Sequence, residues 1–115
     1  MLLRILTVAI VTLQLAACAS LSPSDPALYQ RLAESDVNLA SRLIQTTLES
    51  MPDGATQRWA NQQTGNSGEI TPLRTYASES GQFCRDYREE LVIAGDSGRF
   101  CHTACRDDSA RWVWL

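Results

Sequence analysis

Four cysteines and a single histidine are the side chains with the greatest chemical reach in this sequence. The run Cys101-His102-Thr103-Ala104-Cys105 is the densest group of them. Zinc needs four convergent ligands, or three and an open position. In a strand, neighbouring side chains point to opposite faces, so Cys101 and His102 separate. The same alternation works against a Cys–His nucleophilic pair, and no carboxylate or amide is clearly placed to orient the imidazole. Neither a metal nor a catalytic centre is expected, and no cofactor is implied. His102 reads as a partly buried structural residue with one hydrogen bond. Residues 62–68 (Gln-Gln-Thr-Gly-Asn-Ser-Gly) carry glycines but lack the lysine and following helix of a phosphate-binding loop. They read as a surface hairpin loop. Trp59, Trp112 and Trp114 are candidates for an interaction patch, because aromatics are favoured at interfaces. In a domain this small, such residues more often build core and rim. The acidic pairs Glu89-Glu90 and Asp107-Asp108 read as solvated turn and edge charges.

Cys18 stands apart from the other cysteines. Arg4 precedes an apolar run over residues 5–15 that only Thr7, Thr12 and Gln14 interrupt, and Leu15-Ala16-Ala17-Cys18 follows. A membrane-spanning helix needs about 20 apolar residues, more than this run offers. Its length and charge suit a secretory signal. The four residues ending in Cys18 are similar to a bacterial lipobox. Small residues before the cut fit a peptidase site, the cysteine thiol accepts a diacylglycerol, and the new amine takes a further chain. Two or more acyl chains hold a protein stably at a membrane. The expectation is a signal peptide over 1–17, a lipidated Cys18 with a tether to residue 25, and a folded domain over 26–115. Ala19, where an aspartate would retain the protein at the inner membrane, implies an outer-membrane address. The side of that membrane stays open.

The chain has 115 residues, enough for one domain, with thirteen acidic and ten basic residues and a net charge of −3. Nucleic-acid binding needs a clustered positive field. The scattered arginines here do not supply one, so no nucleic-acid partner is expected. A core this small gains from a disulfide. With Cys18 lipidated, Cys84, Cys101 and Cys105 remain in an oxidising compartment, and an odd number leaves one over.

The elements that must position these residues are short. Asp25 caps a helix that Pro26 begins. Leu28, Leu32, Leu39, Leu43, Ile44, Leu48 and Met51 recur at helical spacing, and Pro52-Asp53-Gly54 stops it. Asp36 interrupts the stripe, so the helix is weakly packed in its first half or restarts near Ser35. Strands are expected over residues 56–61, 69–76, 82–94, 99–105 and 110–115, with Pro72 marking an edge or a bulge. Gly95-Asp96-Ser97-Gly98 reads as a hairpin turn. Placing Ala94 opposite Arg99 sets Ile93 against Phe100 and Leu91 against His102, all on one apolar face. The fold class is α+β: one N-terminal amphipathic helix packed on an antiparallel β-meander of four to five strands.

Several stretches are familiar in order and spacing. They are Arg58-Trp59-Ala60-Asn61, Thr64-Gly65-Asn66-Ser67-Gly68, Thr71-Pro72-Leu73-Arg74-Thr75-Tyr76, Cys84-Arg85-Asp86-Tyr87, Thr103-Ala104-Cys105-Arg106 and a closing Trp112. With these, residues from about 35 to 115 resemble the bacterial outer-membrane surface-antigen lipoproteins, the 17 kDa surface antigen family. Many relatives carry a glycine-rich, membrane-inserting zipper before this domain, and here a plain helix stands instead. Relatives also tend to have an aromatic-Gly pair where this chain has Cys101-His102. The resemblance implies a Cys84–Cys105 disulfide and leaves Cys101 as the candidate free thiol. The hairpin register sits badly with that pairing. It puts Cys84 about four residues from opposition to Cys105, too far at about 3.3 Å per residue unless a bulge shifts the strand or Cys84 folds back. The function implied is a non-enzymatic structural or interaction module of the cell envelope, its partner a protein or an envelope polymer. The alternative is a periplasmic accessory factor or inhibitor that binds a soluble enzyme or assembly protein.

Overall fold

The computed structural model describes residues 24–115; the expected signal peptide, Cys18 and most of the tether lie outside the described residues. Asp25 does cap a helical turn, its Oδ1 accepting from the Ala27 N–H at 2.9 Å. That turn is a short 3₁₀ helix, Pro26–Arg31. The chain then extends through Leu32 and Ala33 and restarts as α1, Glu34–Ser50. The break falls where Asp36 interrupts the apolar stripe. Asp36 is the third residue of the new helix and accepts from the Ala33 N–H at 2.9 Å, one half of a capping box.

Five strands follow: β1 Gln57–Ala60, β2 Ser67–Ala77, β3 Phe83–Ile93, β4 Asp96–Arg106 and β5 Trp112–Trp114. They form one antiparallel sheet in chain order, a meander. Pro72 lies at a bulge, where the β2–β3 register shifts between Pro72 and Arg74. β2 is an interior strand, so of the two readings of Pro72 the bulge is the one found.

The β3–β4 hairpin corrects the register expected from sequence. The turn is Ala94-Gly95, with φ of 48° and 84°. Two successive positive φ values make the tight turn that matches strand twist. Asp96, Ser97 and Gly98 are already strand, and Leu91 faces Gly98, with Tyr87 opposite His102. The slip from the expected pairing is four residues, an even number, so every side chain kept its face. Cys84 then stands directly opposite Cys105.

α1 lies across the inner face of the sheet, where two clusters form the core. Leu28, Ala40, Trp59, Leu91, Ile93 and Phe100 make one. Ile44, Leu48, Ile70, Tyr87, Ala104 and Trp112 make the other, and Leu43 packs against both. Each fully buried large apolar side chain contributes roughly 1.5–3 kcal/mol. Two glycines permit close approaches in the first cluster. A Cβ on Gly68 would come within 2.4 Å of the Trp59 ring, and one on Gly98 within 2.7 Å of Leu28.

Candidate functional site

Cys84 and Cys105 are disulfide-bonded, with Cα atoms 4.0 Å apart. As a directly opposed cross-strand pair they need neither a bulge nor a fold-back. Cys84, Cys101 and Cys105 share the outer face of the sheet, and His102 turns to the inner one, as strand alternation requires. The expectation of a free thiol at Cys101 is corrected: no cysteine is free among the described residues, and Cys101 too is disulfide-bonded. The count of thiols treated an odd sulfur as unmatched. Cys101 is exposed on the outer face of the sheet.

His102 has partners that sequence did not show. Its Nε2 lies 2.6 Å from the Tyr29 hydroxyl and 3.1 Å from Glu89 Oε1, and the Tyr29 hydroxyl also donates to Glu89 Oε1. Glu89 is only 2 % exposed, so the solvated-charge reading of Glu89 is overturned. A buried carboxylate needs such partners. Burial, then the Glu89 charge, raises the Tyr29 hydroxyl far above the ordinary tyrosine value. The same two causes, in the same order, raise Tyr87. The His102 ring stacks on Trp114, centroids 5.1 Å apart and planes within 5°. The Trp114 indole N–H donates to the Tyr87 hydroxyl. This cluster of Tyr29, Glu89, His102, Tyr87 and Trp114 ties the 3₁₀ segment to β3, β4 and β5. The sulfurs lie on the opposite face, and no metal-binding group of His, Cys, Asp and Glu occurs among the described residues.

The three tryptophans do not form one patch. Trp59 and Trp112 are buried in different core clusters, and Trp114 is 54 % exposed. The core-and-rim description fits them, with Trp114 the one that faces solvent.

The motifs of the second half hold the fold through polar contacts. The loop between β1 and β2 closes onto Asp36. Asp36 Oδ1 accepts from Asn61 Nδ2 and Thr64 Oγ1, each at 2.7 Å, and Oδ2 from Asn66 Nδ2 at 2.8 Å. Asp36 is completely buried. Burial raises its carboxyl, but the bonds from Asn66, Thr64, Ala33 and Asn61 outweigh it and hold the group below the usual carboxylate range. Arg85, also buried, donates to the Leu48 carbonyl at 2.7 Å near the C-terminus of α1 and to Asp53 at 2.8 Å. Arg85, with Thr75, keeps the Asp53 carboxyl below its ordinary value despite some burial. On the outer face Asp86 accepts from Arg74 and Thr103. Arg106 grips Glu49 with two nitrogens, and the Trp112 indole donates to the same carboxylate.

Comparison with known proteins agrees with these motifs. Residues 46–113 match a family model described as 17 kDa outer membrane surface antigen. Proteins named 17 kDa surface antigen are similar along the chain. Those of Rickettsia bellii and Rickettsia prowazekii are 37 % identical over 79 residues, and that of Rickettsia conorii 38 %. The match covers 69 % of this chain and 50 % of each relative, so the chain spans about half the length of the curated relatives it matches. No solved structure matches.

Proposed function

Since the chain belongs to the 17 kDa outer membrane surface antigen family, we propose that it is a lipid-anchored surface-antigen-like protein of the outer membrane. In this reading acyl chains on Cys18 hold it there. It serves as a non-enzymatic structural or interaction module that meets a protein or an envelope polymer.

One observation carries the non-enzymatic part of the reading. The stretches that carry the family resemblance are engaged in building the scaffold. Asn61, Thr64 and Asn66 satisfy Asp36. Trp59 lies on Gly68, Cys84 joins Cys105, and Trp112 binds Glu49. A family of catalysts would share a reacting constellation, whereas these positions share a framework. The anchor rests on the lipobox-like residues 15–18 and on the family's address. Among the described residues no helix is long and apolar enough to cross a membrane, so none supplies an alternative helical anchor there.

Crosslinking in intact cells, followed by identification of what is captured, tests the interaction role. Capture of an envelope polymer or an outer-membrane protein supports it. Capture of a soluble periplasmic enzyme favours the accessory-factor alternative. A hydrolytic or thiol-transfer activity that disappears with His102→Ala would overturn the non-enzymatic reading.

A further inference from the structure

A groove of about 410 Å³ runs between α1 and the edge strand β5, lined by Ser41, Ile44, Arg111, Val113 and Trp114 among others. Three features of it belong together. The first is the state of Trp114. An exposed tryptophan on a short edge strand would ordinarily be loose. This one has its indole N–H bonded to Tyr87 and one ring face stacked on His102. His102 is in turn held by Glu89 and Tyr29. Yet 54 % of Trp114 remains exposed. The result is a flat aromatic platform fixed in place before any ligand arrives, the arrangement that lowers the entropy cost of binding.

The second feature is charge. Arg111 is exposed, lines the groove and has no ion-pair partner among the described residues. The third is the strand edge. Gln45 donates to the Trp112 carbonyl at 2.7 Å and accepts from the Trp112 N–H at 2.9 Å. Its amide occupies the backbone groups that an added strand would need. Strand addition, by a peptide or by a second copy of the chain, is thereby blocked at Trp112.

We propose that this groove binds an anionic glycan, with a pyranose ring lying on the open face of Trp114 and a carboxylate or phosphate of the sugar on Arg111. The apolar face of a sugar ring matches a flat indole, its hydroxyls suit the polar rim that Ser41 supplies, and its acid complements the unpaired guanidinium. The inference rests on the reading of the chain as an envelope interaction module and narrows the partner to a glycan. Two envelope sources share this chemistry: a wall glycan bearing a lactyl carboxylate, and a lipopolysaccharide core bearing phosphate.

The test is titration of the full-length protein in detergent, followed by tryptophan fluorescence. The probes are the disaccharide of N-acetylglucosamine and N-acetylmuramic acid, de-acylated lipopolysaccharide core oligosaccharide, and neutral chitobiose as the charge control. Saturable binding of one of the two anionic glycans, tighter than chitobiose, is expected, and which one binds names the source. Trp114→Ala should weaken it about tenfold or more, a typical effect for a central aromatic contact. Arg111→Gln, at an exposed turn outside the core, should weaken it about fivefold and abolish the preference over chitobiose. Circular dichroism checks that Trp114→Ala is folded, and Arg111→Gln decides the matter if it is not. No binding, or binding unchanged in a folded variant of either kind, would overturn the inference. So would sedimentation showing that a second copy fills the groove. A lipidated outer-membrane protein that binds no glycan would sink this inference and leave the anchor standing; a lipid-free protein that binds would do the reverse.

Discussion

Replacing Asp36 by asparagine keeps the size of the side chain and removes half of what it does. Oδ1 serves Asn61 and Thr64, and Oδ2 serves Asn66 and the Ala33 N–H. An asparagine can keep one oxygen in place. Its other end becomes an amide N–H₂ set against two donors. Hydrogen bonds to a charged group contribute about 1.5–3 kcal/mol each, so losing two costs about 3–6 kcal/mol. A small domain has only about 5–15 kcal/mol in total. At roughly 4–8 °C per kcal/mol, the midpoint should fall by more than about 10 °C. Thermal and urea unfolding by circular dichroism, with disulfides intact, reads both quantities. The acid limb adds a second signature. The folded carboxyl lies below its ordinary value. Its contribution is thus complete above the unfolded value of about 3.9 and is lost as pH falls through the folded value. Wild type should weaken over that acidic window more steeply than Asp36→Asn. A stability loss under about 1 kcal/mol at neutral pH would refute the idea that Asp36 organises the β1–β2 loop.

Other perturbations follow from single contacts. Replacing both Cys84 and Cys105 by alanine opens a loop of separation 21 and should cost about 3 kcal/mol in unfolding experiments. Gly68→Ala drives a methyl group into the Trp59 ring, which is 4 % exposed and has no room to move, for a loss of about 1–3 kcal/mol. Ala94→Asn places the preferred residue at a φ of 48° beside Gly95 and should raise stability by about 0.5–1 kcal/mol. A fall in stability on that change would contradict the turn assignment.

Much of this fold was legible in the sequence because its signals are local. Asp25-Pro26, the apolar stripe of α1 and Pro52-Asp53-Gly54 each act within a turn or two. Alternation placed Leu91, Ile93, Phe100 and His102 on the inner face and the three sulfurs on the outer one. What it could not fix was register, since a slip of four residues preserves every face. Gly95-Asp96-Ser97-Gly98 looked like the turn because Gly, Asp and Ser favour turns, but Ala94-Gly95 makes the tighter one. The clue was present: the misfit between the assumed register and the Cys84–Cys105 pairing equalled the slip. The candidate site was far less legible. Asp36 stood out only as an interruption, because its donors Asn61, Thr64 and Asn66 come from a loop 25 to 30 residues away. Glu89 read as a solvated charge for the same reason, its partner Tyr29 lying 60 residues earlier.

The central claim is that this chain is held at the outer membrane by lipid on Cys18. The intact mass of the protein extracted from outer membranes, with peptide mapping of its cysteines, tests it most directly. After reduction of its disulfides, the account predicts the mass of residues 18–115 plus acyl chains, all of the added mass on Cys18. One sulfur cannot carry a thioether-linked lipid and a disulfide together. An unprocessed or lipid-free chain, or one with Cys18 in a disulfide, would contradict the claim.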